Sequence, residues 1–239
     1  MAKRVDGHRM FGEYSGDKPM RNLAANSYED PLSWIPRAAT KLHSLWLKWT
    51  YPFTCIGNHF SVHYSSEVRR TTARLIEISN VVNIGRDAWI NIPEGISSAA
   101  PVLLLGDRCT VGRRCVISAK NLIQIEHDVL FVPSALVMDH NHVYGDVTIP
   151  VAHQGASEGG TIRIEEGRWL GFGAVVVCGK GELVIGRNSL VGANSVVTRS
   201  VPPYSVVAEN PAKVVKQFGP SNGEWDSGAA RSIAQQRTS

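Results

Sequence analysis

The sequence lacks any long uninterrupted run of apolar residues, and its first twenty residues, MAKRVDGHRMFGEYSGDKPM, contain no apolar core behind their basic positions. A membrane-spanning helix needs about 20 consecutive apolar residues, and a secretory signal needs a shorter apolar stretch after its charged start. We therefore expect neither kind of segment, and we expect a cytoplasmic protein.

Cysteines and charges are scarce in the arrangements that would define other classes of protein. The four cysteines, Cys55, Cys109, Cys115 and Cys178, have none of the paired spacings that zinc sites use. Cys109 and Cys115 are six residues apart, and we expect both to be reduced thiols at small positions of the fold. The 25 basic and 21 acidic residues leave a net charge of +4 spread along the chain. No block of like charge indicates a nucleic-acid partner.

What the sequence does contain is an aliphatic or aromatic residue at every sixth position. These series are Ile84–Ile90, Leu105–Val111–Ile117, Ile125–Phe131–Val137, Ile164–Leu170–Val176 and Ile185–Val191–Val197. A helix repeats every 3.6 residues and a strand every two, so a period of six fits neither alone. It fits a chain that turns a corner after each sixth residue and stacks one coil on the next. The prediction is an all-β fold, a hexapeptide-repeat parallel β-helix.

Several segments flank or interrupt this repeat. Residues 1–75 are predicted to be an N-terminal extension and cap, with a short helix in PLSWIPRAATKLHSLWLKWT that places Leu42, Leu45, Trp46 and Trp49 on one face. That helix packs either on the first coil or on a neighbouring subunit, or else residues 37–49 contact a membrane surface. The following segment, 51–73, is a cap or a first irregular coil.

The β-helix itself is expected over residues 76–217. It contains an excursion loop at 138–161, where the period of six vanishes, and loops of this length are usually functional. Residues 218–239 are rich in Gly, Ser and Gln and are predicted to be a disordered tail.

The excursion loop holds the densest group of reactive side chains in the chain, namely Asp139, His140, Asn141 and His142, with His153 further on. Histidine titrates near neutral pH and is the commonest general base. Three interpretations stay open on these residues alone. They could form a metal site on the His-x-His pair, a single catalytic histidine held by polar neighbours, or a loop in which the histidines only make structural hydrogen bonds.

The repeat, the loop, the WLG step of RWLGFGAVV and the ending VIGRNSLVGANSVVTRSVPPYSVVAENPAKVVK occur in one characteristic order. From Ile76 to Lys216 the chain resembles the hexapeptide-repeat acyltransferases. It is most similar to the maltose, galactoside and nodulation-factor O-acetyltransferases and their capsular-polysaccharide relatives. The resemblance implies a left-handed β-helix, a homotrimer, and acetyl-CoA as co-substrate in a cleft between subunits, with no resident metal.

The resemblance also implies roles for individual residues. A gapless count beyond the VLFVP element places the family's catalytic histidine at His142, with His140 in reserve, and Asp139 and Asn141 are candidate substrate ligands. The histidine would take the proton of an acceptor hydroxyl, which attacks the thioester directly. The implied cofactor-binding residues are Trp169, Phe172, Ala193, Thr198, Arg199, Lys213 and Lys216.

The acceptor is less well defined than the cofactor. An acceptor-binding Asn of the sugar O-acetyltransferases would fall near Gly112, where VGRRC offers none, so a simple galactoside or maltose is not expected. The expected function is acetylation of a hydroxyl of a sugar, polysaccharide or glycan precursor. The alternatives are N-acetylation of an amino sugar, acetylation of serine, a zinc protein like γ-carbonic anhydrase that uses His127, His140 and His142, or a non-catalytic scaffold.

Overall fold

The computed structural model describes residues 34–219 and 223–226. The chain divides into two units, residues 1–37 and 38–239. Helix α1 (Trp34–Thr50) begins in the first unit and continues into the second. Short 3₁₀ segments cover Arg70–Leu75 and Val151–His153, and the rest of the regular structure is β-strand.

Strands numbered along the chain fall into three sheets, and the chain visits the sheets in strict rotation. Sheet A contains β1 (Cys55–Ile56), β4 (Ile76–Ile78), β7 (Leu103–Leu105), β10 (Leu122–Ile125), β13 (Gly159–Ile164) and β16 (Lys180–Ile185). Sheet B contains β2 (Ser61–Val62), β5 (Asn83–Ile84), β8 (Thr110–Val111), β11 (Leu130–Phe131), β14 (Trp169–Leu170), β17 (Leu190–Val191), β19 (Ser205–Ala208), β20 (Lys213–Gly219) and β21 (Glu224–Asp226). Sheet C contains β3 (Glu67–Val68), β6 (Trp89–Asn91), β9 (Val116–Ser118), β12 (Leu136–Met138), β15 (Val175–Val177) and β18 (Val196–Val197).

Each passage through sheets A, B and C closes one coil, so β1 to β18 make six coils. All pairings between coils are parallel, and only β19–β20 and β20–β21 are antiparallel among the described strands. The prediction of a left-handed parallel β-helix is confirmed. Ile164, Leu170 and Val176 supply the inward side chain of sheets A, B and C in one coil and are fully buried. The period of six is therefore the spacing of the three inward columns that form the core.

The corners between sheets place two requirements on the sequence. One position must allow the neighbouring coil to approach closely, and another must adopt a left-handed backbone conformation. At Gly112, just after an inward residue, a Cβ would lie 2.5 Å from the carbonyl oxygen of Phe131 in the next coil, so only glycine allows the coils to stack. A left-handed backbone conformation is needed two residues later, and Arg114 takes it with φ of 57° while Gly173 takes it in the coil after next with φ of 65°. The glycines after inward residues thus serve close approach, and the turn itself lies further on.

The first coil begins earlier than the sequence-based boundary at 76. Strands β1, β2 and β3 pair in parallel with β4, β5 and β6, so residues 55–68 already form a complete coil rather than part of an extension. At the other end, residues 218–219 and 223–226 belong to paired strands, which contradicts the predicted disordered tail for these positions. The remainder of that predicted tail, 227–239, lies outside the described residues.

Helix α1 packs on the N-terminal end of the core, as one of the alternatives from the sequence has it, but through the face opposite its apolar stripe. Leu47 and Ser44 are its buried residues, and the Ser44 hydroxyl oxygen accepts the backbone N–H of Val62 at 2.9 Å. The face that carries Leu42, Leu45, Trp46 and Trp49 is exposed instead, and these side chains keep 67%, 47%, 52% and 84% of their surface accessible. No helix among the described residues is long and apolar enough to traverse a bilayer.

All four cysteines are free thiols. Cys109 and Cys115 occupy buried corner positions, where their Sγ–H groups donate to the carbonyl oxygens of Glu126 and Val132 at 2.9 and 3.2 Å. Burial raises the pKa of Cys109 to about 11. Both are therefore protonated packing residues, as the spacing of six predicts.

Candidate active site

The excursion loop leaves the β-helix at the corner between sheets C and A, after the fourth coil. It runs from the end of β12 at Met138 to the start of β13 at Gly159. Its two limbs pair with each other: the backbone N–H of Ser157 donates to the carbonyl of Asn141 at 2.6 Å, and that of Val143 donates to the carbonyl of Gly155 at 3.0 Å. The base of the loop is thus a short antiparallel ribbon, and its tip spans the residues between Val143 and Gly155.

Asp139 is the first residue of the loop and is completely buried. Its carboxylate accepts the backbone N–H groups of Lys120, Asn121 and Leu122 at 2.8 to 3.1 Å. These amides come from the corresponding corner one coil earlier, where the chain turns from β9 into β10. Three backbone amides converge on this one carboxylate, so its position and orientation beneath the loop are fixed.

His140 is oriented by that carboxylate. Its Nδ1 lies 2.9 Å from Oδ1 of Asp139, and the His140 side chain keeps 10% of its surface accessible. Because an ionised carboxylate can only accept a hydrogen bond, Nδ1 carries the hydrogen and Nε2 is left as a lone-pair acceptor. Nε2 makes no hydrogen bond to any part of the chain that the structure describes. The arrangement is that of an oriented general base, and it could remove a proton from a group brought to Nε2.

Two residues outside the predicted set fasten the loop to the coil beneath it. The Lys120 ammonium donates to the carbonyl oxygen of Ser157, and the Asn121 side-chain amide donates to the carbonyls of Glu158 and Gly160 at 2.7 and 3.2 Å. Sequence reasoning missed both residues. They carry no motif, and only the coil register brings them beside residues 37 to 39 positions later in the chain.

The other predicted loop residues are placed differently from Asp139 and His140. Asn141 and His142 are exposed, and the Asn141 side-chain oxygen accepts the backbone N–H of His142 at 2.9 Å. The His142 ring has no hydrogen bond within the described structure. Asp139 was predicted to bind substrate, and this does not fit its burial, since its oxygens are occupied by three amides and by His140.

The tip of the loop is internally ordered and its side chains point outward. The Asp146 carboxylate accepts the Thr148 hydroxyl at 2.6 Å and the Thr148 amide at 2.8 Å, and these hydrogen bonds, the hydroxyl first, hold the pKa of Asp146 below its usual value. Around this turn the apolar side chains of Tyr144 and Val147 are largely exposed.

The predicted cofactor-binding residues lie at two different places on the β-helix. Thr198 and Arg199 follow β18 and so lie at the corner between sheets C and A, the same corner as His140 but two coils later. Adjacent strands are about 4.8 Å apart, which separates the two levels by about 10 Å. Lys213 and Lys216 are exposed on β20, paired with Ala208 and Val206 of β19.

Trp169, Phe172 and Ala193 form the second group. Trp169 is exposed on sheet B between Leu130 and Leu190 of the adjoining coils. Phe172 and Ala193 are exposed at the corner between sheets B and C, on consecutive coils. Within one chain these three residues are therefore apart from His140. They lie on sheet B or at its corner with sheet C, whereas His140 lies at the corner between sheets C and A.

Arg168, next to Trp169, is an unexpected residue in the core. It lies two positions before an inward residue, where the neighbouring coils have Val129 and Ser189, and its side chain is completely buried. Its Nε–H donates to the carbonyl of Ile185 at 3.2 Å, Nη2 lies 3.5 Å from Glu165, and Nη1 has no partner. Burial lowers the pKa of Arg168 to about 10, and its charge lies directly under the sheet that displays Trp169.

The zinc alternative is not favoured by the geometry. Among the described residues, no group of three or more His, Cys, Asp or Glu side chains could hold a metal ion. His127 lies at the corner between sheets A and B, where its Nδ1 is 2.8 Å from Asp128, whereas His140 and His142 lie at the corner between sheets C and A.

The fold and the site together define a class: left-handed β-helix proteins with an oriented histidine on an excursion loop at a coil corner. No family model matches the chain. It is 31% identical over 176 residues to the protein named "Probable acetyltransferase Rv3034c" of Mycobacterium tuberculosis, covering 74% of this chain and 53% of that one. It is 27% identical over 158 residues to the "Putative lipopolysaccharide biosynthesis O-acetyl transferase WbbJ" of Escherichia coli, covering 60% and 79%. The chain thus spans about half the length of the first of these relatives.

A solved structure has the same fold. AntD, an N-acyltransferase from Bacillus cereus in complex with dTDP and 3-hydroxybutyryl-CoA, superposes with a TM-score of 0.58 at 13% identity, covering 82% of this chain and 97% of that one. The chain thus shares its fold with this N-acyltransferase, and the two relatives that it resembles in sequence are named acetyltransferases.

Proposed function

We propose that the protein transfers the acetyl group of acetyl-CoA to a hydroxyl of a sugar, polysaccharide or glycan precursor, with His140 as the general base. The observation that carries this proposal is the pair of His140 with the buried Asp139 carboxylate, which three backbone amide donors hold in place. Such a pair supports acid–base catalysis of acyl transfer, because the oriented histidine can accept the proton of an attacking group and later return it to the leaving group.

In this mechanism Nε2 of His140 accepts the proton of the acceptor hydroxyl as its oxygen attacks the thioester carbonyl. Asp139 stabilises the imidazolium that forms. The C–S bond of the tetrahedral intermediate then breaks, and His140 returns the proton to the leaving CoA sulfur, which gives an acetyl ester and free CoA. No acyl-enzyme is needed, because both substrates meet in one cleft.

This proposal reverses the order of preference between the two histidines. Counting along the sequence favours His142, but its ring is exposed and unsupported, and a base that rotates freely is poorly placed for proton transfer. His140 has a fixed tautomer and a fixed direction. Asp139 accordingly becomes a positioning residue rather than a substrate ligand, and Asn141 stays a candidate substrate ligand at the mouth of the loop.

We further propose that the protein is a homotrimer whose cleft combines the two groups of predicted residues from neighbouring subunits. The corner that carries His140, Thr198 and Arg199 would face Trp169 and Phe172 of the next subunit, with the pantetheine of CoA between them. The exposed apolar side chains at the loop tip support this arrangement, since they would be covered by a neighbouring chain. In this arrangement Lys213 and Lys216, both exposed on β20, would bind the nucleotide phosphates.

The choice of a hydroxyl acceptor rests on the E. coli relative, which is named an O-acetyl transferase. AntD is an N-acyltransferase, but at 13% identity its likeness concerns the fold. Matched acceptors separate the two reactions. With enzyme and acetyl-CoA present, the rate of CoA thiol release should rise when mono- or oligosaccharides that carry only hydroxyls are added. The corresponding amino sugars should give no higher rate of release.

The test of the base uses matched variants at the two histidines. His140→Ala should lower kcat by at least about 100-fold with an unchanged KM for acetyl-CoA, and His142→Ala should keep more than about half of the activity. Circular dichroism and calorimetric titration with CoA, with and without EDTA, check that each variant folds and still binds cofactor. Full activity in His140→Ala together with its loss in His142→Ala would return the role to His142.

A further inference from the structure

The outer face of helix α1 is largely exposed within the part of the chain that the structure describes, although its composition is that of a buried face. Leu42, Leu45, Trp46 and Trp49 are spaced i, i+3, i+4 and i+7, so they form one stripe along the helix. They lie opposite Ser44 and Leu47, which face the core. The stripe is a convex surface of two tryptophans and two leucines pointing away from the β-helix, and we call it the outer stripe.

Contacts on the inner side of helix α1 fix the orientation that leaves the outer stripe exposed. The inner side of the helix is anchored by the Val62 amide, which donates to Ser44, and by Nδ1 of His43, which lies 3.2 Å from the Val62 carbonyl. The Trp46 ring stacks on that of His43 with centroids 5.9 Å apart and meets the Tyr51 ring edge-on at 5.4 Å. The helix therefore cannot rotate to bury the stripe without losing these contacts.

The charges beside the stripe have one sign. Lys41 and Lys48 are both exposed and are spaced i and i+7 along one border of the stripe. Neither forms an ion pair with a described residue, and the helix sequence from Trp34 to Thr50 contains no Asp or Glu. A surface that offers tryptophan, leucine and lysine, with no acidic group, is complementary to the headgroup region of an anionic bilayer.

We infer that the outer stripe docks the protein on an anionic membrane surface, with α1 lying parallel to the bilayer and its tryptophans at the level of the headgroups. Tryptophan and tyrosine favour that level because their rings are apolar with one polar edge. A second copy of the chain fits less well, since an isologous contact between two such helices would bring four lysines together with no acidic partner on either helix. The inference is independent of the proposed transfer reaction.

The experiment measures sedimentation of the full chain with large unilamellar vesicles, either pure phosphatidylcholine or phosphatidylcholine mixed with phosphatidylglycerol. The wild-type protein should bind the mixed vesicles more tightly, and binding should weaken as salt is raised because the lysine contribution is screened. Trp49→Ser should lower the partition coefficient at least about fivefold, and Lys41→Gln with Lys48→Gln should lower it about tenfold on the anionic vesicles only.

The matched controls are Trp225→Ser and Lys180→Gln, which change the same residue types at exposed positions elsewhere and should leave binding unchanged. Equal binding by Trp49→Ser and Trp225→Ser would overturn the inference. So would a wild-type protein that does not sediment with either kind of vesicle. If the molar mass in solution falls in Trp49→Ser and vesicles are not bound, the stripe is an interface between copies of the chain and not a membrane contact.

Discussion

Val81 occupies a backbone conformation that a β-branched residue rarely adopts. It lies at the corner before β5 with φ of 59°, where the corresponding residues of later coils are Arg108, Asp128, Gly167 and Asn188. The branched Cβ of valine crowds the backbone in the left-handed region, whereas asparagine tolerates it. The corner forms nevertheless, because the Val81 amide donates to the Asn58 carbonyl of the preceding coil at 2.9 Å.

Replacing this valine should stabilise the protein. We expect Val81→Asn to raise the free energy of unfolding by about 1 kcal/mol, which corresponds to a Tm increase of about 2–4 °C in a domain of this size. Thermal and urea denaturation measure the effect. The control is Val147→Asn, at a position that is 95% exposed and not in the left-handed region, where little change is expected. Equal changes in both variants would show that polarity, not backbone strain, is responsible.

Residue roles at the site could be predicted only where they depend on side-chain type. Histidines in a long loop make a general base one of three interpretations that the residue types alone allow. The role of Asp139 could not be obtained in this way, because its three amide donors come from Lys120, Asn121 and Leu122, 17 to 19 residues earlier. Those contacts exist only once the third and fourth coils are stacked in register.

At the scale of elements, the glycines at corners are constrained by the neighbouring coil. In Gly112→Ala the new Cβ would lie 2.5 Å from the Phe131 carbonyl oxygen and 2.9 Å from the Pro133 nitrogen, and both are backbone atoms that cannot move aside without separating two coils. We expect a loss of at least about 2 kcal/mol of stability.

Gly145→Ala provides the matched control for that substitution. Gly145 has nothing within 4 Å of an added Cβ and its φ is not positive, so alanine should be neutral or slightly stabilising there. Urea denaturation of both variants separates the two contributions. Similar losses would mean that the corner relaxes readily, and the stacking explanation of the glycines would then be wrong.

Helix α1 and the first coil differ in which of their features could be predicted from the sequence. The existence of α1 was predictable from its spacing of apolar residues, but its orientation was not, because the core is covered by Leu47 and Ser44 rather than by the more apolar face. The first coil was predictable in principle. Ile56, Val62 and Val68 are six residues apart and head the three sheets, but polar and aromatic residues between them obscure the period.

At the scale of the whole molecule, the distribution of the predicted site residues decides how an active site can be assembled. Within one chain, His140 lies at the corner between sheets C and A, whereas Trp169 and Phe172 lie on sheet B and at its corner with sheet C. A rigid stack of coils cannot bring these corners together. If both groups contact the same acetyl-CoA molecule, the cleft must form between two chains.

Mixing two inactive variants tests this arrangement. His140→Ala should abolish turnover, and Trp169→Ala should abolish measurable turnover at acetyl-CoA concentrations far below KM, because it removes a wall of the cofactor cleft. When the two are unfolded together and refolded at equal amounts, a cleft made by neighbouring subunits is intact wherever an unaltered His140 faces an unaltered Trp169. Random assembly of trimers then restores about a quarter of the wild-type activity. Refolding each variant alone restores none and serves as the control. A mixture that stays inactive, with trimers detected by light scattering, would mean that both residues act in the same chain or that one of them lies outside the cleft.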